Sequence, residues 1–414
     1  MNNDTENLVS RRAFVRQTAG AVGVAAATGP AMAAPVKKKQ ADVAHSFLTP
    51  ADEFYDVSRG NPKPHTLRGD ALAEARLTPE TWRLEITADP LTEPPGIQLA
   101  AEVEKPLSLD LPALLQLGRR HGVKYVKAMQ CLNIAEPLGQ GLWEGVPLRD
   151  VLRRCGRINN VRRIYYRGFH NHDPKQIFQS SVSYTQAMET PPGDLPVFLA
   201  YRLNGEPIPP ERGGPVRMIV PWAHGFKSIK WLQQIFLTND YRINDTYALR
   251  NNDPESHLKT AAYVTGGPAQ AAPGEPVVIT GQVISGLSGL ERVETFLRRA
   301  EGPRARRLAD HDPELLRADW RPGEILPPPD WESALPEGIT TRDLLGFDRR
   351  TGRPLSWPLR YGMAAWQVTL HDLKPGSYEL YARAVDRNGF AQPEPRPARK
   401  AGKNEIQHHR FSVG

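Results

Sequence analysis

The chain has 414 residues, 40% of them apolar and 24% charged, a balance that marks a globular protein of two or three domains. Its 39 prolines and 34 glycines are spread along the chain, which favours short strands and turns over long helices and so a β or α+β fold. The formal charge of +7 comes from interspersed Lys and Arg, without an aromatic-interleaved basic stripe or a nucleic-acid motif; this excludes bulk nucleic-acid binding and points to an anionic small ligand.

In chain order, "SRRAFVRQTAGAVGVAAATGPAMAAP" pairs Arg11 with Arg12, follows with Phe14 and a mildly apolar run from Thr18 to Ala27, and ends on a small-residue site at Ala31 to Ala33. Residues 1–34 thus resemble a twin-arginine export signal, with an apolar run too short for a stable transmembrane span. Residues 35–43 continue as a solvated linker. That export route carries folded proteins, so a periplasmic location and a cofactor inserted before export are expected. Several cofactors are excluded by residue chemistry. There is no Cys-x-x-Cys-His, two cysteines cannot supply the four ligands of an iron–sulfur cluster, no Gly-x-Gly-x-x-Gly follows a strand, and no His-Glu-x-x-His is present. Whatever remains must use few protein ligands.

Residues 80–106 alternate apolar and polar positions in short runs, and "SLDLPALLQLG" then reads as a short helix capped by Asp110. "KYVKAMQC" and "RRIYYRGF" have the pattern of strands, "VPLRDVLRRCG" of a helix ended by Gly156, and "VRMIVPWA" and "KWLQQIFLTN" of further strands. Together these predict a mixed α+β domain over residues 44–255. Beyond it the pattern turns all-β, with "EPVVITGQVIS", "AAWQVTLHDL", "GSYELYARAVD" and "HHRFSVG" divided by turn residues. An immunoglobulin-like β-sandwich is expected over 260–414, carrying a Pro/Arg/Asp-rich insertion at about 303–356 that reads as loop.

Four segments carry a family resemblance: "CLNIAEPLGQGLWEGVPLRDVL", "LPVFLAYRLNGEPIPPERGGPVRMIVP", "GFKSIKWLQQI" and "RAVDRNGFAQPEP" with "NEIQHHRFSV". In this order they resemble the sulfite oxidase family of molybdopterin enzymes over most of the chain that follows the signal. The resemblance implies a mixed α+β domain holding molybdenum on one molybdopterin, followed by a sandwich that pairs two chains into a homodimer. It assigns Cys131 as the metal's protein ligand. A thiolate is a soft donor suited to such a centre, and one suffices when the cofactor brings two further sulfurs. Cys155, in "RRCGR", matches no ligand position, and a Cys131–Cys155 disulfide would remove the ligand.

The same resemblance implies Tyr201 as an active-site phenol able to donate a hydrogen bond. It implies Arg212 and Arg217 of "ERGGPVR" as contacts to the pterin phosphate, for which the planar guanidinium is well shaped. Lys227 and Lys230 of "HGFKSIKW" are implied as companions on that phosphate, with a solvated basic face as the alternative. Arg59 falls near the family's anion-binding arginine. His65, His170 and His172 could face the same cleft, although loop histidines are usually solvated.

"CLNIAEP" departs from the Cys-Ala-Gly-Asn-Arg-Arg of many sulfite oxidases and reaches Trp143 only twelve residues after Cys131. That compactness, and "ADEFYDVSRGNPKP", are closer to the periplasmic methionine-sulfoxide reductases of the superfamily, which lack the sandwich. The expected activity is oxygen-atom transfer on a small anionic or sulfur-containing substrate, foremost sulfite oxidation to sulfate, with electrons passed to a separate c-type cytochrome. A sulfoxide reductase fed by a quinol partner, or a metal-free binding or assembly protein of the same fold, stands as the alternative.

Overall fold

The computed structural model describes residues 46–89, 107–191, 193–243, 245–246, 253, 255–302, 306–393 and 404–414. Residues 1–45, where the export signal is expected, and residues 90–106 lie outside these. The first module is built on two sheets. One has the order β2-β1-β10-β5-β6, from β1 (Arg83–Ala88), β2 (Leu107–Asp110), β5 (Arg163–Gly168), β6 (Gln179–Ser183) and β10 (Leu232–Thr238). The other runs β3-β4-β7-β8, from β3 (Val123–Met129), β4 (Gly139–Pro147), β7 (Phe198–Leu203) and β8 (Glu206–Pro207), with β9 (Arg217–Ile219) paired to β7.

β1 lies parallel to β10, Glu85 opposite Gln234, so the first sheet is closed by chain ends roughly 150 residues apart in sequence. The helix Leu111–His121 joins the two sheets. Its first turn is capped as expected, the Asp110 carboxylate accepting from the Ala113 N–H at 2.9 Å. "VPLRDVL" forms the short helix Leu148–Leu152, followed by a 3-10 turn at Arg153–Cys155 that ends where Gly156 takes φ +66°. Between the sheets lies a core of Trp82, Leu84, Ile86, Ile164, Tyr166, Leu199, Met218 and Ile235. Trp82 keeps its indole N–H satisfied by donating to the Leu232 carbonyl at 2.8 Å.

The second module is a β-sandwich of β11 (Ala261–Gly266), β12 (Gln270–Ala271), β13 (Val277–Ile284), β14 (Leu290–Arg299), β15 (Arg321–Ile325), β16 (Met363–Leu370), β17 (Gly376–Asp386) and β18 (Gln407–Val413), in the order β11-β13-β16-β15-β14-β17-β18-β12. The protein is therefore α+β: a mixed domain followed by a β-sandwich. Strand alternation places Val283, Val293, Trp366, Ala382 and Ala384 in one part of its core and Val277, Ile279, Leu380 and Phe411 in another.

The insertion at 303–356 corrects the sequence reading. It supplies β15, whose Arg321–Gly323 pair with β14 and whose Glu324–Ile325 pair with β16, stitching the two halves of the sandwich. Further along, Leu335, Leu344, Phe347 and Leu359 are buried with Leu48, Val126 and Leu142 of the first module. Proline and charge density gave the stretch its loop-like composition, while its few apolar side chains are spaced to cap another domain's sheet. A second shared core joins Tyr125, Met129, Trp143 and Phe198 to Leu258, Tyr263, Ile284, Tyr361 and Met363 of the sandwich. The two modules are thus packed through apolar contacts on both faces of β3–β4.

Candidate active site

Cys131 follows β3 at the start of the turn to β4, and that turn is closed by the Leu138 N–H donating to the Met129 carbonyl at 2.8 Å. Gly139, at φ +140°, lets the Phe54 ring lie where a Cβ would come within 2.6 Å. The Cys131 thiol is free and half-buried, on the wall of a cavity of about 220 Å³. Arg59, His170, Arg212, Arg217, Ser228 and Lys230 line the same cavity, together with Tyr55 and Ser58. Residues 55–59, 131, 168–178 and 212–231 thus converge from four separate loops onto one space.

The cationic wall is held by main-chain carbonyls more than by carboxylates. Arg212 donates to the Phe54 carbonyl at 2.8 Å, and Arg217 to the carbonyls of Arg212 and Ser228, each at 2.7 Å. The guanidinium carbon of Arg217 also stands 5.1 Å from the Trp143 ring centroid. The Nε of each arginine is buried without a hydrogen-bond partner in the protein. Burial, with Arg212 alongside, lowers Arg217 to about 9. Lys230 donates to Ser58 Oγ at 2.6 Å and the Glu211 carbonyl at 2.5 Å, with Asp56 Oδ1 at 3.2 Å. Burial and the charge of Arg217 bring Lys230 down to about 7 against the pull of Asp56. Gly213, at φ +97°, leaves room for the Lys230 stem, which a Cβ would meet at 2.6 Å.

Such a wall needs an anion. Two buried guanidinium nitrogens without partners, beside an ammonium depressed by its neighbours, are costly unless a polyanion completes them. Among the described residues no group of three or more His, Cys, Asp or Glu could hold a metal by itself, so a metal here needs most of its ligands from elsewhere. One free thiol beside a phosphate-shaped cationic wall fits a metal–pterin cofactor that carries its own sulfurs and its own phosphate.

Two expected site residues lie elsewhere. Tyr201 is on β7 and does not line the cavity. Its hydroxyl, 3.2 Å from Glu144 Oε1 to which it donates, lies against Gly118 of the helix Leu111–His121, where a Cβ would collide with it. Burial and Glu144 raise the phenol further above its ordinary value. A phenol committed to packing under a helix is a structural residue, so Tyr201→Phe should keep turnover within about twofold while costing roughly 1 kcal/mol in urea unfolding. The phenol at the cavity is Tyr55, which is 46% exposed. Lys227 also leaves the cavity wall. It is buried, with Nζ 2.8 Å from Asp245 Oδ2 and from the Ser181 carbonyl. Neither the phosphate role nor the solvated alternative describes it.

Of the histidines, only His170 joins the wall, and burial holds its imidazole below the ordinary value. His65 stacks on Trp231 instead, and His172 packs edge-on to Phe169. Cys155 is fully buried in the first core, its thiol pushed up to about 11 by burial, and both cysteines are free. Tyr55 and Ser58 were missed as site residues, although both lie in "ADEFYDVSRGN", a segment already marked by the family resemblance.

Residues 72–245 match the family model for an oxidoreductase molybdopterin binding domain. This stretch is a molybdopterin-binding oxidoreductase domain. The chain is similar to an NAD(P)H nitrate reductase of Betula pendula, 31% identical over 232 residues, 53% of this chain and 24% of the relative. It is similar also to an inducible NADH nitrate reductase of Glycine max, 29% identical over 220 residues, 52% of this chain and 23% of the relative. It therefore spans about a quarter of the length of these curated relatives. The crystal structure of the sulfane dehydrogenase SoxCD from Paracoccus pantotrophus shares the fold, with a TM-score of 0.55 at 18% identity over 91% of this chain and 96% of that one. The sulfite oxidase family of molybdenum enzymes fits these matches.

Replacing Arg217 with alanine should remove charge-assisted hydrogen bonds worth roughly 1.5–3 kcal/mol each. Pterin and molybdenum content per chain should fall before activity per bound metal does. Unchanged content, measured by metal analysis and pterin fluorescence, would separate this arginine from the cofactor.

Proposed function

We propose that this protein is a periplasmic oxidoreductase that oxidises a small sulfur-centred anion, sulfite to sulfate in the first instance, and passes the electrons to a separate c-type cytochrome. The observation that carries the reading is the convergence of the free Cys131 thiol with Arg59, Arg212, Arg217 and Lys230 on one cavity. The structural neighbour is titled a sulfane dehydrogenase, which favours sulfur as the reacting atom. Nitrate, named in the curated relatives, is the competing oxyanion.

The molybdenum cofactor supplies the two-electron, oxygen-atom-transfer chemistry. The chain does the rest. Cys131 would offer its thiolate to the metal, and Arg212, Arg217 and Lys230 would hold the phosphate. Arg59, 5.0 Å above the Phe178 ring, draws the substrate anion by charge. Oxidation of sulfite consumes one water and releases two protons and two electrons, so an external electron acceptor is required. The export signal supports the compartment, and the sandwich, of immunoglobulin-like type, supports a two-fold dimer, the commonest oligomer geometry.

Protein from a cofactor-competent host should contain one molybdenum per chain, oxidise sulfite with ferricyanide or cytochrome c, sediment at twice the chain mass, and be recovered in the periplasmic fraction. Turnover of nitrate or a sulfoxide with a reduced dye, and none of sulfite, would overturn the direction and the substrate.

A further inference from the structure

Lys127 lies on β3, four residues before Cys131. Side chains alternate along a strand, so Lys127 shares a face with Met129, which lines the cavity with Cys131 two residues further on. Lys127 itself is completely buried behind them. Its ammonium donates to the Ala128 carbonyl at 2.8 Å and to the Ala223 carbonyl at 3.3 Å, and the charge acting on it is that of Arg217. Among the described residues no carboxylate lies within ion-pair distance of it. A buried ammonium facing a buried guanidinium is unfavourable in an apolar interior, and removing it would ordinarily help the fold.

Its neighbours indicate what offsets this. Ala223 opens the turn that brings Gly225, Phe226 and Ser228 to the cavity, and Arg217 ties the Ser228 and Arg212 carbonyls together on that wall. We infer that Lys127 is a positioning residue whose charge is balanced by the anionic cofactor, so that it favours the loaded protein and penalises the empty one. This rests on the placement of the cofactor's phosphate at Arg212 and Arg217. Burial and Arg217 depress Lys127 to about 7, which is the same conflict in another form. The residue acts through Arg217 and the 223–228 turn and touches no reacting atom.

The test compares full-length protein from cofactor-competent and cofactor-deficient hosts. Empty Lys127→Met protein should melt above empty wild type by on the order of 2–4 °C. The gap in melting temperature between loaded and empty forms should narrow, and loaded Lys127→Met should lose pterin on dialysis about tenfold faster than wild type. Lys127→Leu should repeat all three results with a second apolar shape. A clamp on Ala223 alone would instead lower both forms together and leave the gap unchanged, which overturns the inference. So would failure of both variants to fold when empty, since the chain itself would then need the charge. Arg217→Ala separates the two levels: pterin retained there brings down the cofactor placement, whereas pterin lost there beside an unchanged gap in Lys127→Met brings down only the role of Lys127.

Discussion

Cys131→Ser should abolish turnover while leaving the melting temperature of the empty protein within a few degrees of wild type, and Cys155→Ser should do the reverse. Cys131 is half-buried on a cavity wall, so a hydroxyl there strands no packing. As a harder donor, however, it cannot reproduce a thiolate on a metal already bound by sulfur. Cys155 is fully buried in the core with Val151 and Leu152, and an unpartnered hydroxyl in that setting costs about 1–3 kcal/mol with no route to the chemistry. Metal analysis, X-ray absorption at the molybdenum edge and sulfite turnover distinguish the pair. A metal-loaded Cys131→Ser enzyme at wild-type rate, or no protein sulfur at the metal, would remove the assignment.

Lys227→Met is expected to be among the most destabilising single substitutions in the first module. Lys227 and Asp245 pair at 2.8 Å with side chains 2% and 1% exposed. The carboxylate is completed by the Ser181 hydroxyl at 2.6 Å and the Ser180 hydroxyl at 3.0 Å, while Tyr166 donates to the Lys227 carbonyl at 2.9 Å. Removing the ammonium leaves Asp245 charged and dry, a loss of about 3–5 kcal/mol. The double variant Lys227→Met/Asp245→Leu should recover much of it, since the stranded charge goes too. Urea unfolding of the three variants measures the coupling. Equal losses in single and double variants would mean that the pair is held by its surroundings rather than by its charges.

Lys227 also shows where sequence reading stopped. Its segment, "HGFKSIKW", was recognisable, and one of its two lysines does reach the cavity. Which one depends on the short turn Gly225–Lys227, where rotation by one residue exchanges an inward for a sideways direction. The partner Asp245 lies on a different stretch of chain and carries no mark of burial in sequence. Tyr201 failed for a related reason. The position reads as a strand residue beside a turn, and only the packing of the helix Leu111–His121 onto β7 decides that its hydroxyl meets Gly118 and Glu144 rather than a ligand. That Cys131, Arg212, Arg217 and Lys230 lie on one cavity was legible because the family motif fixes loop geometry along with residue type. The core strands were legible because β-branched and aromatic runs between turn residues leave few alternatives. The insertion was not, since its burial depends on Val126 and Leu142, two hundred residues away in sequence.

That docking has a mechanical consequence. β3, which presents Cys131, is gripped on one face by Leu335, Leu344 and Leu359 and on the other by Tyr263, Ile284 and Tyr361. A strand held from both sides by a second module transmits little thermal wobble to the atom at its end. The sandwich therefore works as a vice on the cavity wall, and the position of the Cys131 thiol is set when the two modules pack together.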